Sequence, residues 1–202
     1  MRCRYCHNPE LVRKVGFKSP DEVLNFLKKR ATLLDGLVLS GGEATLYPGL
    51  GDFMRQAKTL GYAIKLDTNG LRPDRVKAFL EDGLLDYVAL DYKAPPQKFK
   101  AVTGVEKFDF FTQTLDILCK QNKVDFEVRT TVHTDLLNEE DVNKIIHDLD
   151  ERGYQGTYYV QNFRGDDDRP TLAMMPEQQQ ELDRSKLGQP AGFSLEYRNF
   201  SL

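Results

Sequence analysis

The feature that most constrains the fold of this chain is a change of hydrophobic period that recurs along residues 20–162. Apolar residues fall at helical spacing in five stretches, marked by Val23, Phe26 and Leu27; by Phe53, Ala57 and Leu60; by Val76, Phe79 and Leu80; by Leu115, Leu118 and Cys119; and by Val142, Ile145, Ile146 and Leu149, with Asn138 placed to cap the last. Between and after these stripes lie short runs at 37–39, 62–66, 87–90, 126–129 and 158–160. They are mostly apolar, as strands covered on both faces should be. A stripe needs a sheet to cover, and strands alternating with helices predict a parallel α/β sheet with five strands in this span.

Each run ends in polar residues: Ser40 to Glu43, Asp67 to Gly70, Asp91 to Lys93, Thr130 to His133, and Gln161 with Asn162. In parallel α/β folds the carboxyl ends of the strands meet at one face, so five polar exits predict one shared pocket; ordinary loop polarity is the competing explanation. The periodicity weakens after residue 163. An acidic loop over 164–170 precedes a Gln-rich helix candidate at 176–185 and a final strand candidate at 193–198, and this tail is assigned no chemistry. No linker or repeat divides the sequence, which reads as one domain over 1–202.

Composition removes several function classes. With 28 basic against 31 acidic residues the chain offers no broad basic surface for nucleic acid, and no apolar run approaches a membrane span. No secretory leader is visible, so the cytosol is the expected compartment, where three cysteines are not expected to form a disulfide framework.

Two of those cysteines, Cys3 and Cys6, form a C-x-x-C pair, a spacing at which a tight turn brings both sulfurs to one metal centre. Half of a zinc site, a redox dithiol and, with His7 following, covalent haem attachment share this spacing. Each meets a difficulty. Zinc wants four ligands, and Cys119, His133 and His147 are the remaining candidates, with Cys119 and His147 on helix stripes. Haem attachment belongs outside the cytosol, and a thioredoxin-like motif should follow a strand and open a helix.

The run Cys-Arg-Tyr-Cys-His-Asn-Pro-Glu-Leu from Cys3, followed by Leu-Ser-Gly-Gly-Glu-Ala-Thr-Leu from Leu39, resembles the cluster loop and Gly-Gly-Glu motif of radical S-adenosylmethionine activating enzymes. In order, Leu66 to Gly70, Leu90 to Pro95, Val102 to Gly104 and Val160 to Arg164 resemble segments of the anaerobic ribonucleoside-triphosphate reductase activating proteins, kin of pyruvate formate-lyase activase. The resemblance covers roughly residues 1–165 and departs at its start. The family pattern is C-x-x-x-C-x-x-C, whose first cysteine would stand two residues before Met1. A chain truncated at its N-terminus, lacking one cluster cysteine and the first strand, is therefore expected, with an inert remnant as the alternative.

The resemblance implies a partial, open (β/α)6 TIM-like barrel of the radical SAM type, and a [4Fe-4S] cluster that cleaves S-adenosyl-L-methionine to methionine and a 5'-deoxyadenosyl radical. It implies a glycyl-radical enzyme, the anaerobic ribonucleoside-triphosphate reductase, as partner and target, and a flavodoxin- or ferredoxin-type electron donor. Another glycyl-radical protein or a small molecule is the near alternative as substrate. By the same resemblance Cys3 and Cys6 are the cluster ligands, Tyr5 and His7 lie beside the adenine, and Gly41 and Gly42 let backbone approach the methionine end. Glu43 offers its carboxylate to the cofactor ammonium. Asp67 and Asn69 face the cofactor from the next strand exit. Asp91 and Lys93 follow on the third, with Lys93 neutralising the cofactor carboxylate or assisting cleavage, and His133 resembles a contact position on the fourth. Turns and surface ion pairs explain several of these residues equally well. Cys119 is expected to be a small buried apolar group and His147 a surface residue.

Overall fold

In a computed structural model the described residues are 1–6, 16, 18–165, 171 and 173–201. Among them six parallel strands form one sheet in chain order: β1 (Gly36–Leu39), β2 (Ala63–Thr68), β3 (Tyr87–Asp91), β4 (Asp125–Val132), β5 (Thr157–Asn162) and β6 (Ser194–Arg198). The five expected runs are β1 to β5, and the final strand candidate is β6. No described residue pairs with the outer edge of β1.

Among the described residues six α-helices precede or connect the strands: α1 (Pro20–Lys28), α2 (Leu50–Thr59), α3 (Pro73–Glu81), α4 (Pro96–Thr103), α5 (Phe108–Lys120) and α6 (Glu139–Glu151). Their ends follow local rules. Ser19 and Glu22 close a capping box around Pro20, and Asn138 with Asp141 closes the one expected before α6. Gly104 ends α4 at φ +73°, a left-handed position that glycine takes without a Cβ clash. Helix α4 has no counterpart among the five sequence stripes. Two prolines open it, and its apolar set of Phe99 and Val102 is too brief to stand out as a period.

Side chains on one face of the sheet build the core. Ile64, Leu66, Val88, Leu90, Val128 and Val160 are fully buried and pack with Met54, Val76, Leu115, Leu118, Ile145 and Leu149 from the helices. The stripe on α1 is rotated from its expected position. Leu24 and Leu27 are buried against Tyr62, whereas Phe26 is 52% exposed and lies under the guanidinium of Arg30.

The other face differs from the sequence expectation of strands covered by apolar groups on both sides. Lys65 and Asp67 on β2, Asp91 at the end of β3, Glu127 and Arg129 on β4 and Arg198 on β6 all turn to it. Lys65 meets Glu127 at 3.1 Å and Arg129 meets Asp67 at 3.5 Å, both contacts passing over β3. Arg198 reaches Glu127 at 3.3 Å over β5 and stacks 3.3 Å above the Tyr159 ring. Adjacent strands lie about 4.8 Å apart, so such reaches need a sheet curled toward this side. Ala89 stands between Asp67 and Glu127 in the register, and its single methyl leaves the crossing open. The result is an open, partial barrel with an apolar outer wall and a charged interior.

The expected helix at 176–185 is absent. A 3-10 turn at Arg184–Lys186 is the regular structure there. The polar groups of this segment are spent on the strand ends instead. The Pro176 carbonyl meets His133, Gln178 accepts from the Thr134 amide and donates to Asn162, and Glu181 accepts from Asn162.

Candidate active site

The exits of β1 to β3 converge, while those of β4 and β5, Thr130 to His133 and Gln161 with Asn162, do not line the shared cavity. A cavity at the carboxyl ends of β1 to β4 is lined by Met1, Cys3, Tyr5, Cys6, Ser40, Gly41, Gly42, Glu43, Asp67, Thr68, Asn69, Asp91, Lys93 and Arg129. Of the residues proposed from sequence, Cys3, Tyr5, Cys6, Gly41, Gly42, Glu43, Asp67, Asn69, Asp91 and Lys93 meet here. His7 lies outside the described residues. His133 does not line the cavity: it is fully buried, with Nε2 3.0 Å from the Pro176 carbonyl and Nδ1 accepting from the Asp135 amide. Both ring nitrogens are committed to the fold. Cys119 is partly buried against the core, where burial pushes its thiol up to about 11, and His147 is exposed beside Glu151.

The cysteine turn is anchored from behind. Arg2 and Arg4 donate their backbone amides to Thr103 and Val102 at the end of α4, and the Cys6 amide closes the turn on the Cys3 carbonyl at 3.1 Å. This places both sulfurs on the cavity side. Burial raises the Cys3 thiol above its ordinary range, with the cation of Lys93 working in the other direction.

After β1, Gly41 takes φ +124°, a conformation that side chains rarely adopt, and the chain then turns Glu43 back toward β2. Glu43 carries more structural duty than a free carboxylate would. Its Oε1 accepts from Thr45 and from the Thr68 hydroxyl at 2.8 Å, and its Oε2 accepts from the Asn69 amide at 2.8 Å. Oε2 keeps capacity for one further donor. Asn69 in turn accepts from the Leu71 amide, so the turn after β2 is held by side chains that also border the cavity.

The centre of the site is Asp91. Lys93 donates to it at 3.0 Å and Arg129 at 3.0 Å. Burial by itself would raise the Asp91 carboxyl, but these two cations outweigh it and hold the group below its ordinary value. Lys93 responds reciprocally. Burial would lower it, and Asp91 with Tyr5 and Cys3 raises it, so it stays charged. Arg129 is held charged in the same way by Asp91 and Asp67. Sequence reasoning passed over Arg129. Its signal was a charged residue inside an otherwise apolar run, two positions from Glu127, which is the spacing of one strand face.

Two polar atoms in this cavity are buried without a hydrogen-bond partner, the Tyr5 hydroxyl and Asp67 Oδ1. An unsatisfied buried donor or acceptor costs about 1–3 kcal/mol, which a polar ligand in the cavity would relieve. A pair of thiols, an ammonium, a guanidinium and three carboxylates around such a space suit an iron-sulfur centre and a zwitterionic ligand. No group of three or more His, Cys, Asp and Glu side chains arranged for a metal occurs among the described residues.

A parallel, open α/β barrel with a cysteine turn at its mouth defines the class. The family model described as the Radical SAM superfamily matches residues 1–150, and the chain belongs to that family. Over 178 residues the chain is 34% identical to a protein of Methanocaldococcus jannaschii provisionally named a glycyl-radical enzyme activating enzyme, covering 83% of this chain and 70% of the relative. It is 32% identical over 126 residues to the pyruvate formate-lyase-activating enzyme of Clostridium pasteurianum, covering 57% of this chain and 52% of that one. The fold matches solved structures as well. Native anSMEcpe with bound AdoMet aligns with TM-score 0.63 at 20% identity, over 81% of this chain and 48% of the other. Streptococcus suis SuiB aligns with TM-score 0.63 at 14% identity, over 82% of this chain and 37% of the other.

Proposed function

We propose that this protein is a radical S-adenosylmethionine activase that installs a glycyl radical on a partner enzyme, and that the partner is the anaerobic ribonucleoside-triphosphate reductase. The observation that carries the reading is the cysteine turn facing the same cavity as Asp67, Asp91, Lys93 and Arg129. One relative named as a glycyl-radical enzyme activating enzyme and one named as a pyruvate formate-lyase-activating enzyme support the reaction class, and the ordered segments from Leu66 to Arg164 support the particular target. No helix among the described residues is long and apolar enough to cross a membrane, and the cytosol is the proposed location.

When bound, a reduced [4Fe-4S] cluster supplies the electron that splits S-adenosylmethionine into methionine and a 5'-deoxyadenosyl radical. The residues of this chain bind and orient. Cys3 and Cys6 would hold two of the cluster's irons, and by the family pattern a third cysteine would be needed to complete the ligand set. Lys93 offers a fixed positive charge to the ligand carboxylate, and Asp91 keeps that ammonium aimed into the cavity. Glu43 Oε2 and Asp67 Oδ1 retain acceptor capacity for an ammonium or ribose hydroxyl, and the Tyr5 ring forms a wall beside them. Arg129 fixes Asp91 from the neighbouring strand and Asp67 across β3. A glycine on an exposed loop of the partner would reach this site through the open barrel mouth.

The test is anaerobic reconstitution of this chain and of a version extended upstream to a third cysteine. Iron and sulfide analysis and electron paramagnetic resonance are then recorded with and without S-adenosylmethionine. The extended chain should hold about four irons and shift its spectrum with the ligand. Mixed with reductant and the reductase, it should yield a glycyl radical signal; a cluster-loaded enzyme that gives none sinks the proposed target.

A further inference from the structure

We propose that a row of three side chains on the inner face of the barrel mouth, Thr131, Gln161 and Arg198, is the wall against which the main chain of the partner's glycine loop lies. This rests on the function proposed above and names the part of the partner that is recognised. The three residues stand in register on β4, β5 and β6, at or next to the strand ends. Their direction follows from alternation along the strands. Thr130, Tyr158 and Val160 are fully buried on the outer side, so Thr131, Tyr159 and Gln161 face inward. Arg198 faces inward as well, since it reaches Glu127 across β5. All three members of the row are partly exposed. The row begins where the cysteine cavity stops, because Arg129, on the same face of β4 as Thr131, lines that cavity and Thr131 does not.

What singles out the row is that its polar groups are unspent. The neighbouring exit residues His133, Thr134 and Asn162 are committed to the strap from residue 176 onward. Among the described residues, the side chains of Thr131 and Gln161 have no hydrogen-bond partner. Arg198 donates to Glu127 at 3.3 Å and keeps most of its donors free, while the Tyr159 ring 3.3 Å beneath holds its guanidinium in place. Adjacent strands lie about 4.8 Å apart, so the row is about 10 Å long and spans about three residues of extended chain. A peptide group offers one donor and one acceptor. The Gln161 amide carries both and can pair with it at two points, the Thr131 hydroxyl can do either, and Arg198 donates to a carbonyl. Glu196, exposed on the same face of β6, offsets the charge of Arg198, so the wall is polar without an excess of charge. That suits main chain better than a charged side chain. Glycine, with no Cβ, is the residue whose main chain comes closest to such a wall.

The test compares Q161L, which removes the amide, with Q155L, which makes the same exchange at an exposed position in the turn before β5, at the opposite end of the barrel. Both are made in the upstream-extended, cluster-loaded enzyme. Glycyl radical formation is followed against the concentration of the anaerobic ribonucleoside-triphosphate reductase, and dithionite-driven cleavage of S-adenosylmethionine is followed without it. Q161L should raise KM for the reductase about tenfold, leave kcat within about twofold and cleave S-adenosylmethionine alone at the parental rate. Q155L should match the parent throughout. T131V, an exchange of similar shape, should raise KM by about threefold and carries the test if Q161L does not fold. An unchanged KM in Q161L and T131V, or an equal rise in Q155L, overturns the wall and leaves the proposed function standing. Loss of cleavage in Q161L without the reductase makes Gln161 part of the cofactor site and also overturns the wall. A parent enzyme that cleaves nothing removes the functional reading and the wall with it; one that cleaves S-adenosylmethionine but activates no reductase overturns the target and this use of the row.

Discussion

The two faces of the sheet obey different rules. The outer face is written in Ile, Leu and Val, each fully buried against a helix, so its stabilisation grows with apolar area removed from water. The inner face is written in Lys, Asp, Glu and Arg, each worth something only beside its opposite. Lys65, Glu127, Arg129, Asp91 and Lys93 form a continuous chain of such pairs. Taking charges out of water costs about as much as their attraction returns, so this face is weak evidence for stability. The comparison teaches that the outer wall holds the barrel together while the inner wall holds a shape of charge in place.

Leu115 is the sharpest probe of the outer wall. It is fully buried on α5, and Leu115→Ala should cost about 2–5 kcal/mol in urea unfolding, the range for truncating a buried Leu. On the inner wall, Asp91→Asn at pH 7 should cost about 1–3 kcal/mol, because Lys93 and Arg129 each lose a charged acceptor. A larger loss for Asp91→Asn than for Leu115→Ala would break the division.

The same residue gives a pH signature. The folded Asp91 carboxyl lies below its ordinary value, burial notwithstanding, because of Lys93 and Arg129. Its contribution is therefore fully present above the unfolded carboxylate pKa, about 3.9, and is lost as pH falls through the lower folded value. Asp91→Asn should show a smaller drop in stability below about pH 4 than the parent chain. Parallel acid-unfolding curves for the two would show that the pair is not formed. The smallest effect belongs to the exterior. Lys77 and Glu81 form an exposed pair one turn apart on α3, and Lys77→Ala should change the melting free energy by no more than about 0.5 kcal/mol.

Much of this molecule is legible in its residues, and the losses have a common cause. The stripe on α6 and its cap at Asn138 were readable because every element of the signal is local. The same holds for the strand exits that meet in the cavity, since a parallel sheet sends all of them to one end. Phe26 misled because three apolar residues within one helical turn permit two rotations of a short helix. His133 misled because it follows a strand like the true cavity residues, yet its ring is consumed by a strap from residue 176, far along the chain. Glu43 was readable as a residue bordering the cavity but not as a clamp on Thr68 and Asn69, which lie a helix and a strand further on. The helix expected at 176–185 failed for the same reason, since its backbone and amides find partners on β4 and β5.

The sequence alone determined the alternation of strand and helix, the parallel direction of the sheet and the set of residues that reach its carboxyl end, because periods of 2 and 3.6 and the residues beside them are local properties. Only the tertiary structure decided that the inner face would be charged, that Arg129 would brace Asp91, and that His133 would serve the fold instead of the cavity. Those outcomes depend on how far the sheet curls and on which distant segment arrives to satisfy each polar group, and neither quantity is encoded within any one stretch of the chain.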